Sequence, residues 1–279
     1  MENSEPEEEE VQTPEELWQV QDRYQKAVEY WDAQEPTYNG VLGGFGFVSD
    51  IDVRDSKQLL LKAMKGPLAQ AESEGRRLTA LDCGAGVGRV SEQLLLHHFH
   101  EVDVLEPSEH LLLAAEKNLT PEKLKALRCP AGHKAVNFYC VGLEQHQFVE
   151  ARYDCIWVQW CLLYLTDVDT VTLLRKCVAG LTRDGLIFVK ENIARESDFA
   201  VDHEDKSLTR SNAYMLRLFE QADMQVMYNL KQRGFPKELF EVRMYALRPR
   251  VRHGDTAPQP QPQQSEAPTQ EGTATQMAS

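Results

Sequence analysis

The chain has 279 residues, 42% hydrophobic and 27% charged, which suits one sizeable α/β core with tails and excludes several large domains. Its formal charge is −14, but the stretch before Leu17 carries eight acids and no base, so that arm supplies more than half of the imbalance. A chain of this charge is repelled by nucleic acid and by anionic membrane surfaces and attracts basic peptides at long range, so neither nucleic acid nor membrane is expected as a direct partner.

Six cysteines (Cys83, Cys129, Cys140, Cys155, Cys161 and Cys177) form no C-x-x-C pair and mostly lie in apolar runs, where a cysteine behaves as a small buried hydrophobe. They point to a reducing, cytoplasmic or nuclear compartment. The N-terminus lacks the basic and apolar regions of a leader, and no run approaches the ~18 apolar residues of a membrane span.

Residues 1–14 read as a disordered acidic arm, 15–248 as one folded domain, and 249–279, with Pro-Gln-Pro-Gln-Pro-Gln, as a disordered tail. Leu17, Tyr24, Ala27, Val28 and Trp31 predict an amphipathic helix over 15–32. Residues 39–46 hold four glycines and read as a loop able to turn sharply or approach a ligand closely. A helix over 56–71 precedes an alternating series. Its strands are 78–83, 101–105, 136–141, 153–159 and 186–190, and its helices are 87–97, 108–119 and 168–180. Such alternation predicts an α/β fold, a doubly wound, mostly parallel sheet covered on both faces. Residues 120–134 read as a surface excursion. A helix over 208–222 leads to runs 225–231 and 242–247, which predict a closing antiparallel pair.

The chemistry concentrates in Leu81-Asp82-Cys83-Gly84-Ala85-Gly86-Val87-Gly88-Arg89, which ends the first strand of that series and opens a helix, with Glu106 at the end of the next strand. Alternating glycines permit a tight bend and close ligand approach, and an acid about twenty positions on accepts ribose hydroxyls. A dinucleotide site asks for G-x-G-x-x-G, whereas Arg89 occupies the third-glycine position and is placed to meet the carboxylate of a methionine moiety. S-adenosylmethionine is therefore the expected cofactor. Gly142-Leu143-Glu144 follows the third strand of the series and Trp157-Val158-Gln159-Trp160 ends the fourth, so that Gln159 and Trp160 point at the same crevice. Trp157, inside its strand, reads as core, and Trp160 as better placed for a substrate. The histidines His97, His98 and His100 lack accompanying Cys or carboxylate ligands, so no metal is expected.

Together with Tyr30-Trp31, Leu42-Gly43-Gly44-Phe45-Gly46 and Lys190-Glu191-Asn192, these motifs resemble the α-N-terminal protein methyltransferases over about residues 25–248. The resemblance implies a class I S-adenosylmethionine-dependent methyltransferase sheet of seven strands with an added N-terminal helical segment. It also implies methylation of the free α-amine of proteins beginning Xaa-Pro-Lys. Position by position, it puts cofactor contacts at Gly84, Arg89, Glu106, Pro107, Ser108, Leu143, Glu144 and Gln159. Peptide contacts fall at Trp31, Leu42, Gly43, Trp160, Asn192, Asp202, Asp205 and Ser207. Catalysis then rests on Asp205, with Asn192 holding the peptide backbone and Tyr164 in support. Three positions depart from relatives: Glu106 stands where some carry aspartate, Tyr164 where well-studied members carry a histidine, and Phe45 where tyrosine is common.

Taken without the resemblance, residues 202–205 read as a solvated charge run and Asn192 as a turn cap. The fold leaves other acceptors open, a small amine or another protein side chain, and a different class, a catalytically silent cofactor-fold interaction module. An NAD-dependent reductase is disfavoured by Arg89.

Overall fold

The computed structural model describes residues 13–250. The acidic arm and the Pro/Gln-rich tail lie outside them except at their inner ends. Thr13 caps the first helix α1 (Pro14–Gln19) through a reciprocal pair: Glu16 N–H donates to Thr13 Oγ1 at 3.2 Å, and Thr13 N–H to Glu16 Oε2 at 3.0 Å. At the other end Pro249 closes the last strand.

The single helix expected over 15–32 is two. Chain direction changes at Val20–Asp22, where Asp22 is left-handed (φ 54°), and α2 (Arg23–Asp32) begins afresh. The glycine-rich segment contains a short helix α3 (Tyr38–Val41), and its left-handed Gly43 and Gly44 then turn the chain (φ 58° and 86°). The next helix starts earlier than its apolar residues suggest: α4 (Ser49–Ala63) and α5 (Lys65–Glu74) meet at Met64.

Strands β1 (Thr79–Cys83), β2 (Glu101–Leu105), β3 (Lys134–Tyr139), β4 (Tyr153–Gln159) and β5 (Leu181–Ile193) are parallel neighbours. The pair β8 (Met224–Lys231) and β9 (Glu241–Pro249) adds antiparallel strands, completing a seven-stranded sheet of order β3-β2-β1-β4-β5-β9-β8. Helices α6 (Arg89–Gln93), α7 (Glu109–Asn118), α9 (Asp167–Gly180) and α10 (Asn212–Gln221) cross between them, and α8 (Pro121–Ala126) lies in the excursion before β3. The stretch 208–222, expected to be wholly helical, begins as a strand. β6 (Phe199–Asp202) and β7 (Ser207–Arg210) form a hairpin beside the main sheet, and α10 starts only at Asn212. Its alternation was masked by the charges at its turn.

Side chains of the buried strands alternate between two cores. Cys155 and Trp157 of β4 join Leu59, Leu60, Phe188 and Ala246 on the α4 face. Ile156 and Val158 join Leu173, Leu174, Met215 and Phe219 on the face of α9 and α10. Trp157 stacks on Phe188 with ring centroids 5.2 Å apart, so it is core, as expected.

Candidate active site

Strand order reverses between β1 and β4, and at such a switch point the loops leaving the two carboxyl ends diverge and open a crevice. Here the crevice is a cavity of about 690 Å³, within the usual range for a small-molecule site. The glycine loop after β1, the end of β2, the turn after β4 and the inner face of α2 enclose it.

Gly84 is left-handed (φ 64°), and a Cβ there would stand 2.8 Å from Cys161 Cβ. Only glycine lets the loop after β1 lie against the turn after β4. Gly86 N–H donates to Glu106 Oε2 at 2.8 Å, and Ser108 N–H to Glu106 Oε1 at 2.9 Å. Burial pushes the Glu106 carboxyl up to about 7 against the opposing pull of those two N–H groups. Each of its oxygens keeps acceptor capacity, and the residue lines the cavity. Ser108 itself does not. It is fully buried, caps α7 by accepting from Leu111 N–H at 3.2 Å, and donates its hydroxyl to Asp32. Its part in the site is to steady Glu106.

Arg89, Pro107, Leu143, Glu144 and Gln159 all line the cavity. Two of them carry partners invisible in the sequence. Arg89 Nη1 donates to Asp52 Oδ2 at 2.8 Å, and Gln159 Nε2 donates to the same carboxylate at 3.0 and 3.1 Å. The Gln159 Oε1 accepts from Trp157 Nε1 at 2.9 Å, so both ends of its amide are committed. Lys190 also pairs with Asp52. Burial raises Asp52, but the cations of Lys190 and Arg89 outweigh it and hold the carboxyl below its ordinary range.

Trp31, Leu42, Trp160 and Tyr164 also line the cavity. Trp160 has a positive φ of 54°, unusual for so bulky a residue, with its N–H held by the Lys190 carbonyl at 2.9 Å. The turn it opens is clamped from both sides. Glu191 Oε1 accepts from Cys161 N–H at 2.9 Å and Leu162 N–H at 2.8 Å, and Arg210 donates to the carbonyls of Leu162 and Leu165 at 3.0 and 2.7 Å. Tyr164, at the end of that turn, packs edge-on against Trp31 and donates its hydroxyl to Asp205 Oδ2 at 2.7 Å. Ser207 N–H donates to Asp205 Oδ1 at 3.0 Å. Burial raises the Asp205 carboxyl despite these donors, and burial next to Asp205 pushes the Tyr164 phenol far above its ordinary range.

Asp205 does not itself border the cavity; the hydroxyl of Tyr164, which does line it, links the two. Ser207, buried, begins β7 and holds Asp205 through both its backbone N–H and its side chain. Asp202 is exposed at the end of β6 and folds its own turn, Oδ1 accepting from Glu204 N–H at 2.9 Å. Asn192 lies near the carboxyl end of β5, half-buried, and Gly43 is exposed beside Leu42; neither borders the cavity. Sequence reading missed Asp52, Lys190 and Glu191 as site-building groups. A signal existed for Asp52: with Asp55, Ser56, Leu59 and Leu60 it falls on one face of α4, which is buried throughout.

A family described as AdoMet dependent proline di-methyltransferase matches residues 19–248. The chain belongs to this family. Similar curated proteins include Alpha N-terminal protein methyltransferase 1 of Oryza sativa subsp. indica, 45% identical over 80% of this chain and 71% of its own length. N-terminal Xaa-Pro-Lys N-methyltransferase 1 of Danio rerio is 37% identical over 81% and 95%. Among solved structures, a SAM-dependent methyltransferase of Leishmania major superposes with a TM-score of 0.72 at 34% identity, covering 85% of this chain and 91% of the other. The fold is that of class I methyltransferases, and the cofactor of the family is S-adenosylmethionine. The residues present fit that cofactor: a turn that excludes Cβ atoms, a buried carboxylate with free acceptor capacity, and a guanidinium at the cavity wall.

Proposed function

We propose that this methyltransferase acts on the free α-amine of proteins whose N-terminus reads Xaa-Pro-Lys. The observation that carries the reading is the Tyr164–Asp205 pair, a raised carboxylate hydrogen-bonded to a cavity-lining phenol.

S-adenosylmethionine, when bound, supplies an electrophilic methyl group on sulfonium sulfur. Gly84, Gly86, Glu106, Pro107, Leu143, Glu144, Gln159 and Arg89 would hold it. The acceptor nitrogen needs a lone pair, and an α-amine, with a reference pKa of about 7.7–8.0, gives up its proton far more readily than a lysine side chain at about 10.4. Asp205 receives that proton. Its raised basicity suits the task better than an ordinary carboxylate does. Tyr164 is too weak an acid to ionise near neutral pH, so it acts as a fixed donor that orients Asp205. Trp31 and Trp160 offer flat faces to a prolyl ring. The buried Nε1 of Trp160, with no acceptor among the described residues, suits a peptide carbonyl. The exposed carboxylates Asp202 and Glu204 would draw in the lysine, Asn192 would engage the peptide backbone, and Leu42 and Gly43 would border its path. The six cysteines, unpaired in sequence, support action in the cytoplasm or nucleus.

Mass spectrometry of Ser-Pro-Lys, Ser-Ala-Lys and Ser-Pro-Ala peptides after incubation with protein and cofactor tests the reading. Methylation confined to the α-amine of the first is the expected result. Equal modification of all three, or of the lysine side chain, overturns it.

A further inference from the structure

The buried carboxylate of Asp52 sits on α4, outside every motif of the sequence, yet it gathers groups from three other elements. Arg89 opens α6 after the glycine loop, Gln159 ends β4, and Lys190 lies towards the end of β5; all three side chains converge on it. Asp52 is 1% exposed, so it has no water to replace a lost partner. Lys190 is surrounded by acceptors: besides Asp52 it donates to the Asp52 carbonyl at 3.1 Å, Ser56 Oγ at 2.9 Å and Gln232 Oε1 at 2.7 Å. Arg89 has fewer. Among the described residues its recorded side-chain bonds all run through Nη1, to Asp52 and, at 3.3 Å, to Ser49 Oγ. Arg89 also lines the cavity, with Cζ 5.7 Å from the centroid of the Trp160 ring. Arg89 is therefore tethered through Nη1 while it lines the ligand space. A tethered planar fork loses less freedom when it pairs with a carboxylate, and its direction is set in advance. The other acid near Arg89, Asp82, is taken up by Ser91 N–H and Oγ at 3.0 and 2.7 Å and offers no such tether.

We propose that Asp52 is a positioning residue for the cofactor. It holds Arg89 so that the guanidinium meets the carboxylate of the amino-acid moiety, and it holds Gln159 beside it. The assignment rests on the S-adenosylmethionine reading of the cavity. Its consequence is selective: losing the tether weakens ligands that carry an amino-acid carboxylate and spares those that end at the sulfur.

The test measures calorimetric Kd values of the full chain for S-adenosylhomocysteine and for 5′-methylthioadenosine, which keeps the adenosine and sulfur but lacks the amino acid. Asp52→Asn is expected to weaken the first about tenfold or more, a loss of about 1.4 kcal/mol, and the second less than about twofold. In an Arg89→Met background the same substitution should have no further effect on S-adenosylhomocysteine. Since Asp52→Asn leaves two buried cations short of a partner and is liable to misfold, Asp52→Leu with Lys190→Met removes the ion pair as a unit and keeps the volume. It should show the same selectivity. Equal weakening of both ligands, or of neither, overturns the proposal. If the unmodified protein binds neither ligand, it is the cofactor reading that fails.

Discussion

Glu106 offers the sharpest quantitative test, because its carboxyl is buried and its acidity is displaced from the ordinary 4.5 to about 7. The folded state holds this proton more tightly than the unfolded chain does. Stability contributed by the group is therefore greatest below pH 4.5, falls as pH rises through the interval to 7, and is level above it. Linkage between those two values gives a loss of about 2.5 kcal/mol in ligand-free protein between about pH 5 and pH 8 from this residue. Glu106→Gln removes the titration. It also loses one acceptor for the N–H of Gly86 or Ser108, a pH-independent penalty of about 1–3 kcal/mol. The assay is urea unfolding of both proteins across that range. The difference in stability between variant and wild type should shift in the variant's favour by about 2–3 kcal/mol on going from acid to alkaline conditions. Parallel stability curves for the two proteins would show that Glu106 is not the displaced group and would refute the reasoning. Cofactor binding supplies the functional counterpart. The ionised carboxylate is the better acceptor for ribose hydroxyls, so wild-type affinity for S-adenosylhomocysteine should fall as pH drops through 7 while the variant's stays flat.

Asp205→Asn should lower kcat on a Ser-Pro-Lys peptide by about 10²–10⁴-fold, the usual worth of a positioned base, and leave the Kd for S-adenosylhomocysteine unchanged. Tyr164→Phe removes a donor that favours ionised Asp205, so the ascending limb of the pH–rate profile should move to higher pH; a limb that stays in place would disconnect the pair from proton transfer. Gly84→Ala puts a Cβ into Cys161 at a left-handed φ and should cost about 1–3 kcal/mol of stability by urea denaturation, together with cofactor affinity. Trp160→Ala should raise the peptide KM by about tenfold or more with little effect on cofactor Kd; the converse pattern would move Trp160 to the cofactor side.

Which elements exist, and in what order, was set by short-range physics that one sequence displays. Apolar runs of strand length alternate with helical periodicity from Leu78 to Lys190, and that alone dictates a parallel sheet. The glycine loop and Glu106 were legible for the same reason: tight turns demand glycine, and a crevice at strand ends follows from topology. Local pattern failed where charge overrode it. The hairpin β6–β7 looked like a solvated run, because Asp202, His203, Glu204 and Asp205 occupy its turn and neighbouring residues. Only the tertiary structure decided that Asp205 turns inward to Tyr164, 41 positions away in the chain, while Asp202 turns outward. Nor does any local signal say that Asp52 meets Arg89, Gln159 and Lys190, the last 138 positions distant. Buried charge is expensive unless paired, and pairing is a property of which strand ends and helix faces come together. Chain-local chemistry therefore determines the sheet and the cofactor loop, whereas the partner that tethers Arg89 and the burial that raises Asp205 exist only once the sheet has brought these residues together.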